Sequence, residues 1–115
     1  MENITINGHI WFQTASGLRI GEGRAKLLEE IENSGSISEA ARKLEIPYRR
    51  AWGMIKDMNT NAKESLVIKE VGGKDGGRSI LTKEGKKIVA LFKKVDQCFK
   101  NFSEDESYRL SRGQE

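Results

Sequence analysis

The chain is 115 residues long, enough for one domain with its own hydrophobic core and too short for two. Hydrophobic residues make up 37% and charged residues 32%, and the apolar positions recur at helix and strand periods, which excludes a disordered chain. The net charge is +3; residues 104–115 hold four acids against two arginines, a net of −2, which leaves +5 on residues 1–103 and puts the basic excess in the body.

A single cysteine, Cys98, leaves no internal disulfide to form and fits a reducing compartment. No apolar run approaches the roughly 18 residues of a membrane span. The start Met1-Glu2-Asn3-Ile4 lacks the basic and apolar regions of a signal peptide, so a cytoplasmic protein that does not engage a membrane is expected.

In chain order, Ile4, Ile6, His9, Ile10, Trp11 and Phe12 lie among Thr and Gly and read as extended chain. Ala15-Ser16-Gly17 is a turn and Leu18-Arg19-Ile20 a return strand, ended by Gly21-Glu22-Gly23. A first helix is expected over residues 24–33, with Leu27, Leu28 and Ile31 on its apolar face and Ser34-Gly35 at its end. Ser36-Ile37-Ser38-Glu39 has the form of a capping box, in which the serine accepts from the Glu39 amide and the glutamate returns to the Ser36 amide. It opens a second helix over residues 37–44. After the tight turn Glu45-Ile46, Pro47 stands at the first position of a third helix, residues 47–61, which packs Ala51, Ile55 and Met58 with Trp52 beside them. Its outer face carries Arg49, Arg50, Gly53, Lys56 and Thr60.

Strands are expected over residues 66–71 and 79–81, joined by the glycine-rich loop 72–78 with Lys74 and Arg78 at its basic tip. Thr82 caps a last helix over residues 83–102, striped by Ile88, Leu91, Phe92, Val95, Phe99 and Phe102. The fold class is therefore α+β: a winged helix-turn-helix over residues 1–103, with an N-terminal β-hairpin and a long C-terminal helix. Residues 104–115 read as an acidic, flexible tail.

Segment 36–58 carries the chemistry. Two short helices joined by a tight turn, the second bearing exposed arginines, are built to enter a DNA major groove, where Arg pairs with guanine O6 and N7. Charged helix faces are often merely solvated; the cap, the turn and the basic hairpin together favour DNA. The candidate DNA-binding residues are Ser36, Ser38, Tyr48, Arg49, Arg50, Gly53, Lys56, Lys74 and Arg78. The glycine loop is no Walker loop, because Gly76-Gly77-Arg78-Ser79 leads into a strand rather than a helix.

His9 is the only histidine, so neither a multi-histidine metal site nor a Ser-His triad is expected. No catalytic constellation is seen, and no enzyme activity, metal or cofactor is expected. Trp11 and Trp52 read as core residues and Cys98 as a small buried hydrophobe. The stripe of the last helix invites pairing with a second copy across a two-fold axis, or folding back on the N-terminal hairpin.

Gly35-Ser36-Ile37-Ser38-Glu39-Ala40-Ala41, Pro47-Tyr48-Arg49-Arg50-Ala51-Trp52, Met58-Asn59, the run from Gly72 to Arg78, and Leu81-Thr82-Lys83-Glu84-Gly85 resemble the DNA-binding domain of the ModE family of molybdenum-responsive regulators. The likeness covers about residues 4–100; a broader one to LysR-type domains rests on Gly-Ser-Ile-Ser and Ala-Ala alone. The resemblance implies a dimer that binds double-stranded DNA and controls genes linked to molybdate transport or molybdoenzymes. It implies Tyr48, Arg49 and Arg50 at the start of the recognition helix, with Lys74 and Arg78 in the wing. Full-length members carry a C-terminal oxyanion-binding module, which this sequence, ending at Glu115, is expected to lack; its effector, if any, is unknown. The alternative is a winged-helix adaptor that binds protein and reads no DNA.

Overall fold

The computed structural model describes residues 2–71 and 77–113. Strands β1 (Trp11–Gln13) and β2 (Arg19–Gly21) form an antiparallel hairpin in which Phe12 faces Ile20. Alternation along β1 turns Phe12 inward, where its ring centroid lies 6.4 Å from that of Phe92. The same alternation turns Trp11 outward. It is 57% exposed, with the Arg19 guanidinium 5.2 Å from its ring centre, so Trp11 is not the core residue that its size led us to expect.

Helix α1 (Glu22–Ser34) begins two residues before its expected start. Gly21, read as the end of the hairpin segment, is extended and serves as the N-cap, and Glu22 places a negative charge in the first turn. Leu27, Leu28 and Ile31 are fully buried. The helix closes at Gly35, whose φ of 72° is left-handed and whose amide donates to the Ile31 carbonyl at 2.8 Å.

Helix α2 (Ile37–Lys43) starts as its sequence foretells on one side only. Ser36 Oγ accepts from the Glu39 amide at 3.1 Å. The Glu39 carboxylate does not return the bond. It pairs with Arg42, raising that guanidinium's pKa, while Ser34 Oγ accepts from the Ser36 amide at 3.2 Å. The turn passes through Glu45, whose φ of 57° is unusual for a side chain with a Cβ. Helix α3 (Tyr48–Asn61) follows with Pro47 one position outside it, and buries Ala51, Ile55 and Met58.

A second antiparallel hairpin pairs β3 (Val67–Glu70) with β4 (Arg78–Leu81), in the register Val67 opposite Leu81 and Lys69 opposite Ser79. The hairpin tip, including Lys74, lies outside the described residues. Thr82 then caps helix α4 (Lys83–Ser111), accepting from the Gly85 amide at 3.0 Å. Ile88, Val89 and Phe92 complete a core shared by α1, α2, α3 and both hairpins. Each fully buried Leu, Ile or Met contributes about 1.5–3 kcal/mol relative to exposure.

The last helix differs most from expectation. It runs nine residues beyond Phe102, to Ser111, so most of the segment read as a flexible tail forms its final turns. A strap from the other end of the chain lies against these turns. Ser103, Ser107 and Ser111 recur every four residues and face the extended N-terminal segment. Ser107 Oγ accepts from the Ile6 amide at 2.8 Å, and Ser103 Oγ donates to the Ile6 carbonyl. Ser111 Oγ accepts from the Ile4 amide at 2.8 Å and donates to its carbonyl at 3.1 Å. Of the segment read as extended from Ile4 to Phe12, only Trp11 and Phe12 enter a strand, while the Ile4 and Ile6 backbone bonds helix hydroxyls. Cys98 is exposed and not buried, because Phe99 takes the inward position beside it.

Candidate nucleic-acid interface

The elements α2 and α3 meet through small side chains. Ala40, Ala41 and Ala51 are 0–2% exposed, which lets the two backbones approach closely and fixes their angle. The Ile46 amide donates to the Ala41 carbonyl at 2.9 Å and the Ala51 amide to the Pro47 carbonyl at 3.0 Å, so the turn is tied at both ends. With Ala51, Ile55 and Met58 inward, the opposite face of α3 presents Arg49, Arg50, Gly53 and Lys56 to solvent.

Asn59 fixes the second hairpin against the end of α3. Its carboxamide oxygen accepts from the Leu66 amide at 2.8 Å and its nitrogen donates to the Val67 carbonyl at 2.9 Å. At the other side of the hairpin, the Ser79 amide donates to the Gly35 carbonyl at 2.9 Å. The wing is therefore bonded to both the end of α3 and the turn before α2.

Charge pairing is absent from the bases of this surface, as it is from Arg19, Lys63, Lys83, Lys94 and Arg112 elsewhere among the described residues. Nine ion pairs occur among the described residues, and they link α1 to α2, α3 and α4 or lie within single helices; Arg24–Asp57, Lys43–Glu30 and Lys93–Glu29 are examples. Arg49, Arg50, Lys56, Lys69 and Arg78 take part in none of them. On the outer face of α3 and the root of the wing these bases stand together with no carboxylate partner among the described residues, which leaves a locally positive surface.

Of the residues singled out from sequence, Ser36 caps α2, Ser38 is exposed in its first turn, and Tyr48 opens α3 at 52% exposure. Arg49, Arg50, Gly53 and Lys56 line the outer face of α3. Arg78 sits at the root of the wing with its guanidinium packed over Gly35, so close that a Cβ there would lie 2.9 Å from Nη2.

Two residues of this surface were not found from sequence. Trp52, read as core, is 38% exposed, because it lies about 100° around the helix from the buried Ala51. Its indole N–H donates to the Tyr48 hydroxyl. Lys69 went unremarked because the hairpin was read as a basic tip alone; strand alternation with Val67 would have revealed it. Among the described residues no group of three or more His, Cys, Asp or Glu side chains could hold a metal ion, and no helix is long and apolar enough to cross a membrane.

A compact three-helix unit, its second and third helices joined by a tight turn and followed by an antiparallel hairpin, defines a winged helix-turn-helix protein. The sequence comparisons agree. No family model matches the chain. It is 37% identical over 98 residues to the molybdenum transport protein ModE of Azotobacter vinelandii, covering 85% of this chain and 36% of that one. To the transcriptional regulator ModE of Yersinia pestis it is 44% identical over 69 residues, 60% of this chain and 26% of the relative. To the DNA-binding transcriptional dual regulator ModE of Escherichia coli K12 it is 36% identical over 92 residues, 76% of this chain and 35% of the relative. The chain is a homologue of the ModE transcriptional regulators, spanning about a third of their length and matching mainly their N-terminal part.

Proposed function

We propose that this chain binds duplex DNA in a sequence-dependent way and acts as the DNA-reading part of a ModE-like transcriptional regulator inside the cell. The observation that carries the reading is the grouping of exposed bases, Arg49, Arg50 and Lys56 on the outer face of α3 with Lys69 and Arg78 in the adjoining wing, on a helix-turn-helix. Arg49 and Arg50, at the N-terminal end of α3, are the base-reading candidates, and Lys56, Lys74 and Arg78 the phosphate contacts. The relatives' names support genes of molybdenum transport or use as targets.

The working form is a homodimer. Leu91, Cys98 and Phe102 fall within about 40° of one another around α4 and are all exposed, an apolar stripe on a helix that makes the molecule 63 Å long. Pairing two such helices across a two-fold axis would present two recognition helices to successive major grooves.

Selection of bound sequences from a random duplex pool, with the affinity of the winner followed against salt, tests the proposal. An enriched palindrome with half-sites about one helical turn (~34 Å) apart is expected. Binding that shows no enrichment and vanishes near physiological salt would overturn it and favour a protein-binding adaptor.

A further inference from the structure

A groove of about 140 Å³ lies where the turn before α2, the first turns of α3 and the root of the wing converge. Ser36, Ser38, Tyr48, Trp52, Lys69 and Gly77 line it. Its volume is that of a few waters, taking about 30 Å³ for each, which gives room for one phosphoryl group.

Two hydroxyls of this groove have a proton to give. A tryptophan N–H can only donate, so the bond from Trp52 Nε1 to Tyr48 uses the phenol oxygen as acceptor and leaves the phenol proton to be given elsewhere. Ser36 Oγ likewise accepts from the Glu39 amide, which leaves its own proton free for an outside acceptor. Lys69 brings three donors and a full charge. It shares the strand face of Val67, opposite Ser79 and Leu81, which are 6%, 5% and 4% exposed. Its side chain therefore leaves the strand on the side of the helix-turn-helix, whereas Ile68 at 44% exposure faces away. Among the described residues no carboxylate lines the groove.

We propose that this groove is the seat of one DNA phosphodiester, held by Lys69, the Tyr48 hydroxyl and Ser36, with Trp52 as the positioning residue that orients Tyr48. The proposal rests on the DNA-binding reading and deepens it. A groove that offers a positive charge and hydroxyl donors fits an anion whose oxygens only accept. It stands beside Arg49 on α3, so a backbone phosphate bound there would fix the depth and register at which the recognition helix enters its groove. Trp52 touches no ligand in this scheme. It removes the rotational freedom of a half-exposed tyrosine.

The test uses Lys69→Gln, Lys69→Arg, Tyr48→Phe, Trp52→Phe and the Tyr48→Phe/Trp52→Phe double variant, each with its melting curve. All three positions are at least one third exposed, and unaltered folding is expected. Affinity for a selected and a random duplex is measured across a salt series. Lys69→Gln is expected to weaken both duplexes alike and to reduce the slope of log K against log salt by about 0.9, one phosphate's worth, with Lys69→Arg restoring it. Tyr48→Phe is expected to lose roughly 2- to 10-fold in affinity with the slope unchanged. Trp52→Phe is expected to match that loss, and the double variant to lose no more than either single one.

If wild-type protein binds duplex and the Lys69→Gln slope is unaltered, or the Tyr48 and Trp52 losses add, the seat is refuted and the regulator reading stands. If wild-type protein binds no duplex, both fall together. Inorganic phosphate, compared with chloride at equal ionic strength, separates the two sources of phosphoryl oxygen. No extra displacement of duplex is expected; displacement that depends on Lys69 at millimolar phosphate would assign the groove to a free anion and overturn the DNA assignment.

Discussion

Asn59 and Val67 are joined in both directions: the carboxamide nitrogen donates to the Val67 carbonyl at 2.9 Å, and the carboxamide oxygen accepts from the Val67 amide at 3.2 Å. The same oxygen accepts from the Leu66 amide. One side chain near the end of α3 thereby satisfies three backbone groups at the start of β3, on the edge turned away from β4. Asn59→Ala leaves those groups part-buried without partners, and a loss of about 2 kcal/mol is expected. For a domain of this size that lowers the melting temperature by roughly 10 °C, read by circular dichroism. A shift under two degrees would mean that water replaces the carboxamide without penalty.

Gly85 tests a second junction. A Cβ at this position would lie 2.3 Å from the Leu66 carbonyl oxygen and 3.3 Å from Leu81 Cβ, both in the wing. Backbone cannot yield as a flexible side chain can, so Gly85→Ala must push α4 away from β3. A loss of roughly 1–3 kcal/mol in urea unfolding is expected, although alanine is the better helix former. Unchanged or increased stability would show that α4 can slide along the wing.

Gly53 makes the opposite case. It lies inside α3, is exposed, and a Cβ there would meet nothing within 4 Å. Glycine in a helix interior is destabilising by about 0.8–1 kcal/mol relative to alanine, so its presence on the outer face has no structural reason. Close approach of DNA to the backbone supplies one. Gly53→Ala is expected to raise stability by about 0.5–1 kcal/mol while lowering affinity for the selected duplex. Higher stability with full affinity would remove Gly53 from the contact surface.

Much of this architecture could be read from local signals. Ser36 and Thr82 cap the helices that their positions announce, and Pro47 and Gly35 bound α3 and α1 to within a residue, because caps and stops act within one turn of chain. What escaped depends on partners far away in sequence. The last turns of α4 bond the Ile4 and Ile6 backbone about a hundred residues upstream, and although Ser103, Ser107 and Ser111 recur at helical spacing, nothing local names that partner. Trp11, Trp52 and Cys98 were misplaced because residue type was allowed to stand for burial, when strand alternation or helix rotation by one position decides it. Lys69 follows the same rule: its place is set by Ser79 across the hairpin.

Arg49 and Arg50 are adjacent, about 100° apart around α3, and cannot both point along the same line into a groove. The expected outcome is a division of labour. The one that reads a base, when changed to alanine, costs about 1–3 kcal/mol in the selected duplex and relaxes preference at one position of the half-site. The one that holds phosphate weakens selected and random duplexes alike and reduces the salt slope by about 0.9. Two variants that both leave the sequence preference intact would mean that α3 grips backbone only and that specificity lies elsewhere.

The exposed stripe on α4 gives a prediction independent of DNA. Leu91 at 45% and Phe102 at 53% exposure are large apolar groups on the face of α4 that neither the core nor the N-terminal strap covers, and Cys98 lies between them. Two copies packed along this stripe would bury both, at about 25 cal/mol for each Å² of apolar surface removed from water. Phe102→Asp places a charge at the centre of such an interface, and sedimentation equilibrium is expected to show dimer for the wild type and monomer for the variant. The melting curve of the monomer should lose its dependence on protein concentration. DNA affinity should fall far more than any single contact explains, because two half-sites would no longer be engaged at once. A wild type that sediments as a monomer, or a variant that remains dimeric, would place the two-fold axis elsewhere or remove it.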